Sequence, residues 1–134
     1  MNKVLADTSA WIEFFRPGGD KNYRSILCQL IDDNEVVLCG VVLTELLRGA
    51  RSEKEYQELE EYLSTLTYFE TPEILWKKAG REASLLLRKG VQVPTTDLMI
   101  ATVAIEYKLT LLHRDKHYDL LQKHTSLKIF EMET

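Results

Sequence analysis

Four carboxylates occupy positions where an acid is out of place, and together they suggest one chemistry. Asp7 interrupts the apolar opening Val4-Leu5-Ala6 and is followed by Thr8 and Ser9. Asp97 heads the row Asp97, Ile100, Ala101 and Ala104, spaced i, i+3, i+4 and i+7, so on a helix its side chain shares the apolar stripe. A first-turn acid facing solvent is explained by the helix dipole, but one set against apolar surface needs a partner. Glu45 stands one turn after Val41, beside Val42, Leu46 and Gly49, and Asp115 closely follows Thr110-Leu111-Leu112. Two have a bland reading: Asp7 as a helix N-cap, Glu45 as the partner of Arg48 at i+3. As a group they ask for more, because converging carboxylates repel unless they are protonated or neutralised by a cation. All-oxygen donors favour Mg²⁺ or Mn²⁺ over zinc. Ions held this way orient phosphates and lower the pKa of an attacking water, so phosphodiester hydrolysis is the natural chemistry.

The elements that must position these acids can be read from the pattern. Lys3 to Ala6 reads as a strand, with a helix from about Ser9 until the break at Pro17-Gly18-Gly19-Asp20. A helix to about Asp33 turns Ile26, Leu27, Leu30 and Ile31 to one face, and Glu35 to Cys39 is a short buried strand. Val41 to Ala50 and Glu53 to Leu66 are helical, and Thr67 to Glu70 is a strand. Pro72 opens a long helix with the stripe Leu75, Trp76, Ala79, Ala83, Leu86 and Leu87, closed by Gly90. Pro94-Thr95-Thr96 introduces a helix to about Lys108. Leu109 to Leu112, His117 to Lys123 and Leu127 to Phe130 then read as strand, helix and strand. Alternating strands and helices predict an α/β domain with a parallel sheet, and in such sheets ligands gather outside the carboxyl ends of the strands. Asp7, Asp97 and Asp115 fall at or near strand-to-helix junctions of that edge, with Glu45 on the helix after the second strand.

Bulk properties narrow the class. The 134 residues, read as one domain over 1–134, suffice to bury roughly two-thirds of the unfolded surface. Apolar content is 45% and charged content 28%, as in a globular chain. No run approaches the ~18 apolar residues of a membrane span, and the start is too short and too weakly charged for a signal peptide. The expectation is a cytoplasmic protein, with Cys28 and Cys39 as buried free thiols. A net charge of −4 argues against a broadly basic nucleic-acid surface, though not against a local groove lined by Arg48, Arg51, Arg114 and Lys116. The acidic run Glu53 to Glu61 is a solvated helix face. A GxxxxGK[ST] loop and a GxSxG elbow are both absent. The three histidines, His113, His117 and His124, crowd near the C-terminus without metal-helix spacing.

The segments "VLADTSAWIEFF", "VVLTELLRGA" and "TTDLMIATVAIEYKLTLLHRDKHYDLL", in this order and spacing, resemble PIN-domain ribonucleases, specifically VapC-type toxins of type II toxin–antitoxin systems. The resemblance covers essentially the whole chain. It implies a PIN-like three-layer α/β/α sandwich around a central, mainly parallel sheet, and Mg²⁺- or Mn²⁺-dependent endoribonuclease activity. The acidic quartet of the family falls on Asp7, Glu45, Asp97 and Asp115, with Thr8, Ser9 and Thr96 as supporting hydroxyls. It further implies an RNA substrate, a cognate antitoxin protein as partner, and a homodimer. One departure stands out: His113 occupies a place where the family often has Thr or Ser, two residues before the fourth acid, and Asp119 is a conceivable substitute for Asp115. Three other readings compete, and one, a haloacid-dehalogenase-like phosphatase, would want a second Asp two residues after Asp7, where Ser9 stands. A receiver-like signalling module would need an adjacent acidic pair after the first strand, where only Asp7 stands. A catalytically inactive PIN-like RNA- or protein-binding domain would have no physical reason to keep four acids together.

Overall fold

The strands at the centre of the fold have no polar face. β1 (Val4–Ala6) and β2 (Val36–Cys39) are buried along their whole lengths. Continuous burial of this kind marks strands covered on both sides in a parallel sheet. In this computed structural model, which describes residues 3–132, the edge strands β3 (Thr67–Phe69) and β5 (Lys128–Ile129) are more polar and more exposed, and β4 (Thr110–Leu112) lies beside β1. The order is β3-β2-β1-β4-β5, and every neighbouring pair is parallel. The sheet is thus wholly parallel, and its order differs from the 2-1-3-4-5 arrangement of receiver modules.

Topology then decides where a site can form. From β1 the chain steps outward to β2 through α1 (Thr8–Phe15) and α2 (Lys21–Asp32), and on to β3 through α3 (Gly40–Arg48) and α4 (Glu53–Leu63). It crosses back to β4 through α5 (Glu73–Arg88) and α6 (Thr95–Glu106), and reaches β5 through α7 (Lys116–His124). Right-handed crossovers running in opposite directions place α1–α4 on one face and α5–α7 on the other. Contacts agree, with α1 against α2 and α3, α3 against α4, and α6 between α5 and α7. The direction reverses between β1 and β4, the crevice where doubly wound sheets take ligands. Ala6 pairs with Leu112 in register, so both strands end at the same height.

Three helices end in one and the same way. At the end of α5, Gly90 takes φ +79, its N–H bonds the Leu87 carbonyl, and the Val91 N–H reaches Leu86. This six-to-one plus five-to-two pattern is the Schellman closure. α2 and α6 repeat it with Asn34 and Lys108 at positive φ, and each delivers the chain directly into β2 or β4.

The expected elements are all present, their ends shifted by a turn or less. Two side-chain expectations fail. Cys28 is exposed, because it lies a third of a turn off the face on which α2 buries Leu27 and Leu30; only Cys39 is a buried thiol. The stripe of α5 is narrower than expected: Leu75, Ala79 and Leu86 are buried, while Trp76 and Leu87 remain 50% and 58% exposed.

The break after α1 depends on Gly19. A Cβ there would lie well inside van der Waals contact with the Glu13 carbonyl oxygen. This close approach lets the Asp20 N–H donate to Glu13 Oε1 at 3.0 Å. Gly19→Ala is expected to lower stability by about 1–3 kcal/mol, as overpacking does. The measurement is a urea midpoint at unchanged m-value; a variant as stable as wild type would contradict the close approach.

Candidate active site

Asp7 is both a helix cap and a buried acid. Its N–H continues the ladder to the Leu112 carbonyl at 2.8 Å, which fixes it to the end of β4. Its Oδ2 accepts from the Ser9 N–H at 3.0 Å and the Ser9 hydroxyl at 2.6 Å, capping α1. The residue is only 4% exposed. Its other oxygen, Oδ1, accepts from the Tyr118 hydroxyl at 2.7 Å. Burial holds the Tyr118 proton far above the ordinary range, and the Asp7 charge adds to this, so the hydroxyl stays a donor.

The same hydroxyl lies 3.4 Å from Asp97 Oδ1. Asp97 occupies the first turn of α6, at the head of the buried run from Leu98 to Ala101, and its own side chain is only 14% exposed. Burial raises its pKa from 3.8 to about 6, with the charges of Asp115 and then Asp7 adding to the rise and a hydrogen bond with His117 opposing it. Asp115 caps α7 by accepting the His117 N–H on Oδ1 at 2.9 Å. The His117 ring then falls between two acids, Nδ1 being 3.1 Å from Asp97 Oδ2 and 3.1 Å from Asp115 Oδ1. One donor atom from each of Asp97, Asp115 and His117 lies within 4.8 Å of the others.

Glu45 stands on the α3 side of Asp7, reached through Thr8. The Thr8 hydroxyl donates to Glu45 Oε1 at 2.7 Å, and the alternative local pair with Arg48 is not formed. The charges of Asp7 and Glu45 both bear on the Cys39 thiol, whose pKa is raised first of all by burial. Thr96 is exposed and makes no side-chain hydrogen bond among the described residues. Asp119 is exposed, 3.7 Å from His113 Nε2, and stands outside the cluster. His113 explains its own departure: its Nδ1 accepts the Asp115 N–H at 3.0 Å, so an imidazole nitrogen supplies the acceptor that a hydroxyl would supply in this turn. Burial lowers the His113 pKa and keeps the ring neutral for that task.

Of the four basic residues, Arg48 and Arg51 line a groove of about 800 Å³ that begins at Thr8 and Glu45 and passes Phe15 and Tyr62. Lys116 is exposed in the first turn of α7. Arg114, offered by the sequence as a phosphate contact, makes local ion pairs in this structure. Its guanidinium lies 3.3 Å from both Glu13 and Asp20, while its N–H donates to the Ser9 hydroxyl at 2.9 Å. Glu13 is buried, and its pKa is lowered chiefly by the Asp20 N–H, with Arg16 assisting.

Two members of the site, His117 and Tyr118, were absent from the sequence expectation. The available signal was position: both lie in the first turn after a capping acid at a strand end, where side chains face the same rim. Among the described residues no Lys or Arg pairs with Asp7, Asp97 or Asp115. Buried and part-buried acids without a Lys or Arg partner suit a divalent cation.

The sequence matches the PIN domain family over residues 4–123. It is 25% identical over 130 residues to Ribonuclease VapC11 of Mycobacterium tuberculosis, spanning 93% of this chain and 96% of that relative. Among solved structures, VapBC2 from Rickettsia felis bound to a DNA fragment from its promoter superposes with a TM-score of 0.78 at 20% identity, covering 97% of this chain and 98% of that one. DNA-bound VapBC from Salmonella typhimurium gives 0.76 at 21% identity, with 97% and 98% covered.

In a chelator such as EDTA, Asp97 makes stability fall as pH rises. Its folded pKa near 6 exceeds the ordinary 3.8, so the folded chain holds this proton more tightly than the unfolded chain. The contribution is complete at acid pH and is lost as pH climbs through about 6. Asp97→Asn removes the effect, so the variant should melt above wild type at pH 7 in EDTA, with a smaller gap at pH 5. A wild type that outlasts the variant at pH 7 would show that these acids do not repel.

Proposed function

Since this chain belongs to the PIN-domain family, we propose that it is a metal-dependent endoribonuclease acting as the toxin of a toxin–antitoxin pair. What carries the reading is the meeting of Asp7, Asp97 and Asp115 at the crevice between β1 and β4, without a Lys or Arg partner among the described residues. Glu45 completes the quartet from α3. A Mg²⁺ or Mn²⁺ ion held by these acids would orient a phosphodiester and lower the pKa of the attacking water.

The chain's own residues supply the rest. Ser9 fixes Asp7 Oδ2, Tyr118 fixes Oδ1, and Thr8 fixes Glu45, so the acids are preorganised. RNA enters along the groove from Arg48 and Arg51, whose guanidinium groups hold backbone phosphates while the scissile phosphate reaches the acids. Asp115 belongs to the catalytic set because its turn is held by His113. The partner is a cognate antitoxin, as in the VapBC complexes that this chain resembles in fold. The chain acts in the cytoplasm as a homodimer, a reading supported by the exposure of Trp76 and Leu87 on one face of α5. No described helix is long and apolar enough to cross a membrane.

Asp7→Asn and Asp97→Asn each remove a charge while keeping shape. Each should abolish cleavage of RNA in the presence of Mg²⁺ or Mn²⁺, read by sequencing RNA ends after induction in cells. A variant that cuts at the wild-type rate removes its acid from the assignment.

The natively expressed protein should also co-purify with a small protein encoded beside it. Recovery of free protein alone, together with harmless overexpression, would count against a toxin.

A further inference from the structure

We propose that His117 is a nitrogen ligand of the ion held at this site, and that it biases the site toward Mn²⁺ over Mg²⁺ compared with an all-carboxylate cluster. The inference rests on the metal-dependent reading above and adds to it a ligand of a different element.

Geometry is the first support. His117 Nδ1 lies 3.1 Å from an oxygen of Asp97 and 3.1 Å from an oxygen of Asp115. An octahedral ion with bonds of about 2.1 Å holds neighbouring donor atoms about 3 Å apart, so these separations are those of adjacent ligands. The ring does not reach this place by a long flexible arm. Its backbone N–H is pinned to Asp115 Oδ1, in the first turn of a helix that Asp115 itself caps.

Charge is the second. The other account of these distances is that Nδ1 carries a proton and donates it to the acids, as a neutral ring or as a protonated internal counter-ion. One imidazolium carries a single positive charge, whereas Asp7, Asp97 and Asp115 bring three carboxylates to the same crevice without Lys or Arg among the described residues. A divalent ion accounts for more of that charge. Beside such an ion the ring turns a lone pair toward it, which makes it a ligand. His113 does not compete, because its Nδ1 accepts the Asp115 N–H and its Nε2 faces Asp119.

Imidazole nitrogen suits first-row transition ions, whereas Mg²⁺ is a hard ion that prefers oxygen and keeps its waters. An aspartate at position 117 would restore an all-oxygen set.

The test uses the full chain and Mn²⁺ itself. Pulsed electron paramagnetic resonance of the Mn²⁺-loaded wild type should show coupling to a ¹⁴N nucleus, and His117→Asp should lose it. Binding titrations with Mn²⁺ and Mg²⁺ should show the Mn²⁺ preference falling by about tenfold or more in the variant, the scale on which residues around a metal act. Bound Mn²⁺ without nitrogen coupling in the wild type would overturn the ligation while leaving the nuclease reading intact. So would a variant with the wild-type preference. A wild type that binds neither ion and cuts no RNA would overturn both readings. The wild-type spectrum decides the ligation without any variant, so the test does not hang on the folding of His117→Asp.

Discussion

Mutual repulsion of carboxylates that are out of the water, and yet close to one another, is the constraint on which this structure depends. Asp7 is almost fully buried, and Asp97 is largely buried at the head of the apolar run of α6. Neither pairs with a Lys or Arg among the described residues, and the His117 ring lies beside Asp97. Such an arrangement persists only if the surrounding framework is rigid enough to hold it. The framework supplies hydrogen-bond donors at fixed places: Ser9 and Tyr118 for Asp7, the first turn of α7 for Asp115, and Thr8 for Glu45. Every donor comes from a residue at a helix start, where backbone and side chain are set together.

A second layer secures the loop after β4. Tyr23 donates its hydroxyl to the His113 carbonyl, and Arg114 reaches Glu13 and Asp20 while its backbone holds Ser9. A buried carboxylate, Glu13, sits at the centre of this brace and collects Arg16, Arg114 and the Asp20 N–H. The loop that carries Asp115 is therefore tied to α1 and to the start of α2. Breaking the brace by removing one partner would leave a buried charge uncompensated, which costs more than the pair itself contributes.

Much of this could be read from residue order alone. Asp7 and Asp97 stood out because apolar periodicity is a local property, and an acid on an apolar row contradicts it within one turn. The sheet was legible for the same reason, since β1 and β2 are uninterrupted apolar runs. Tyr118 was not, because a tyrosine on an amphipathic helix reads as ordinary core. His117 is not legible either, because its partners, Asp97 and Asp115, come from outside the body of its own helix. Arg114 reads as a surface cation until the fold brings Glu13 and Asp20 to it across ninety or more residues. Contacts of that range leave no period in the sequence. Exposure of Cys28 and burial of Cys39 likewise depend on which side of an element is covered, a matter that residue type does not decide.

The common finishing height of β1 and β4 has a further meaning for how this chain can change over time. Ala6 and Leu112 end their strands opposite each other, so Asp7 and the turn of Asp115 leave the sheet side by side. Each residue of a strand advances the chain by about 3.3 Å and reverses the side it faces. A single deletion within either strand would separate the acids and turn its apolar side chains to the wrong layer, whereas the exposed helix surfaces can exchange one polar residue for another at small cost. The site is thus a matter of counting: it depends more on the lengths of two short strands than on the identity of most side chains around them.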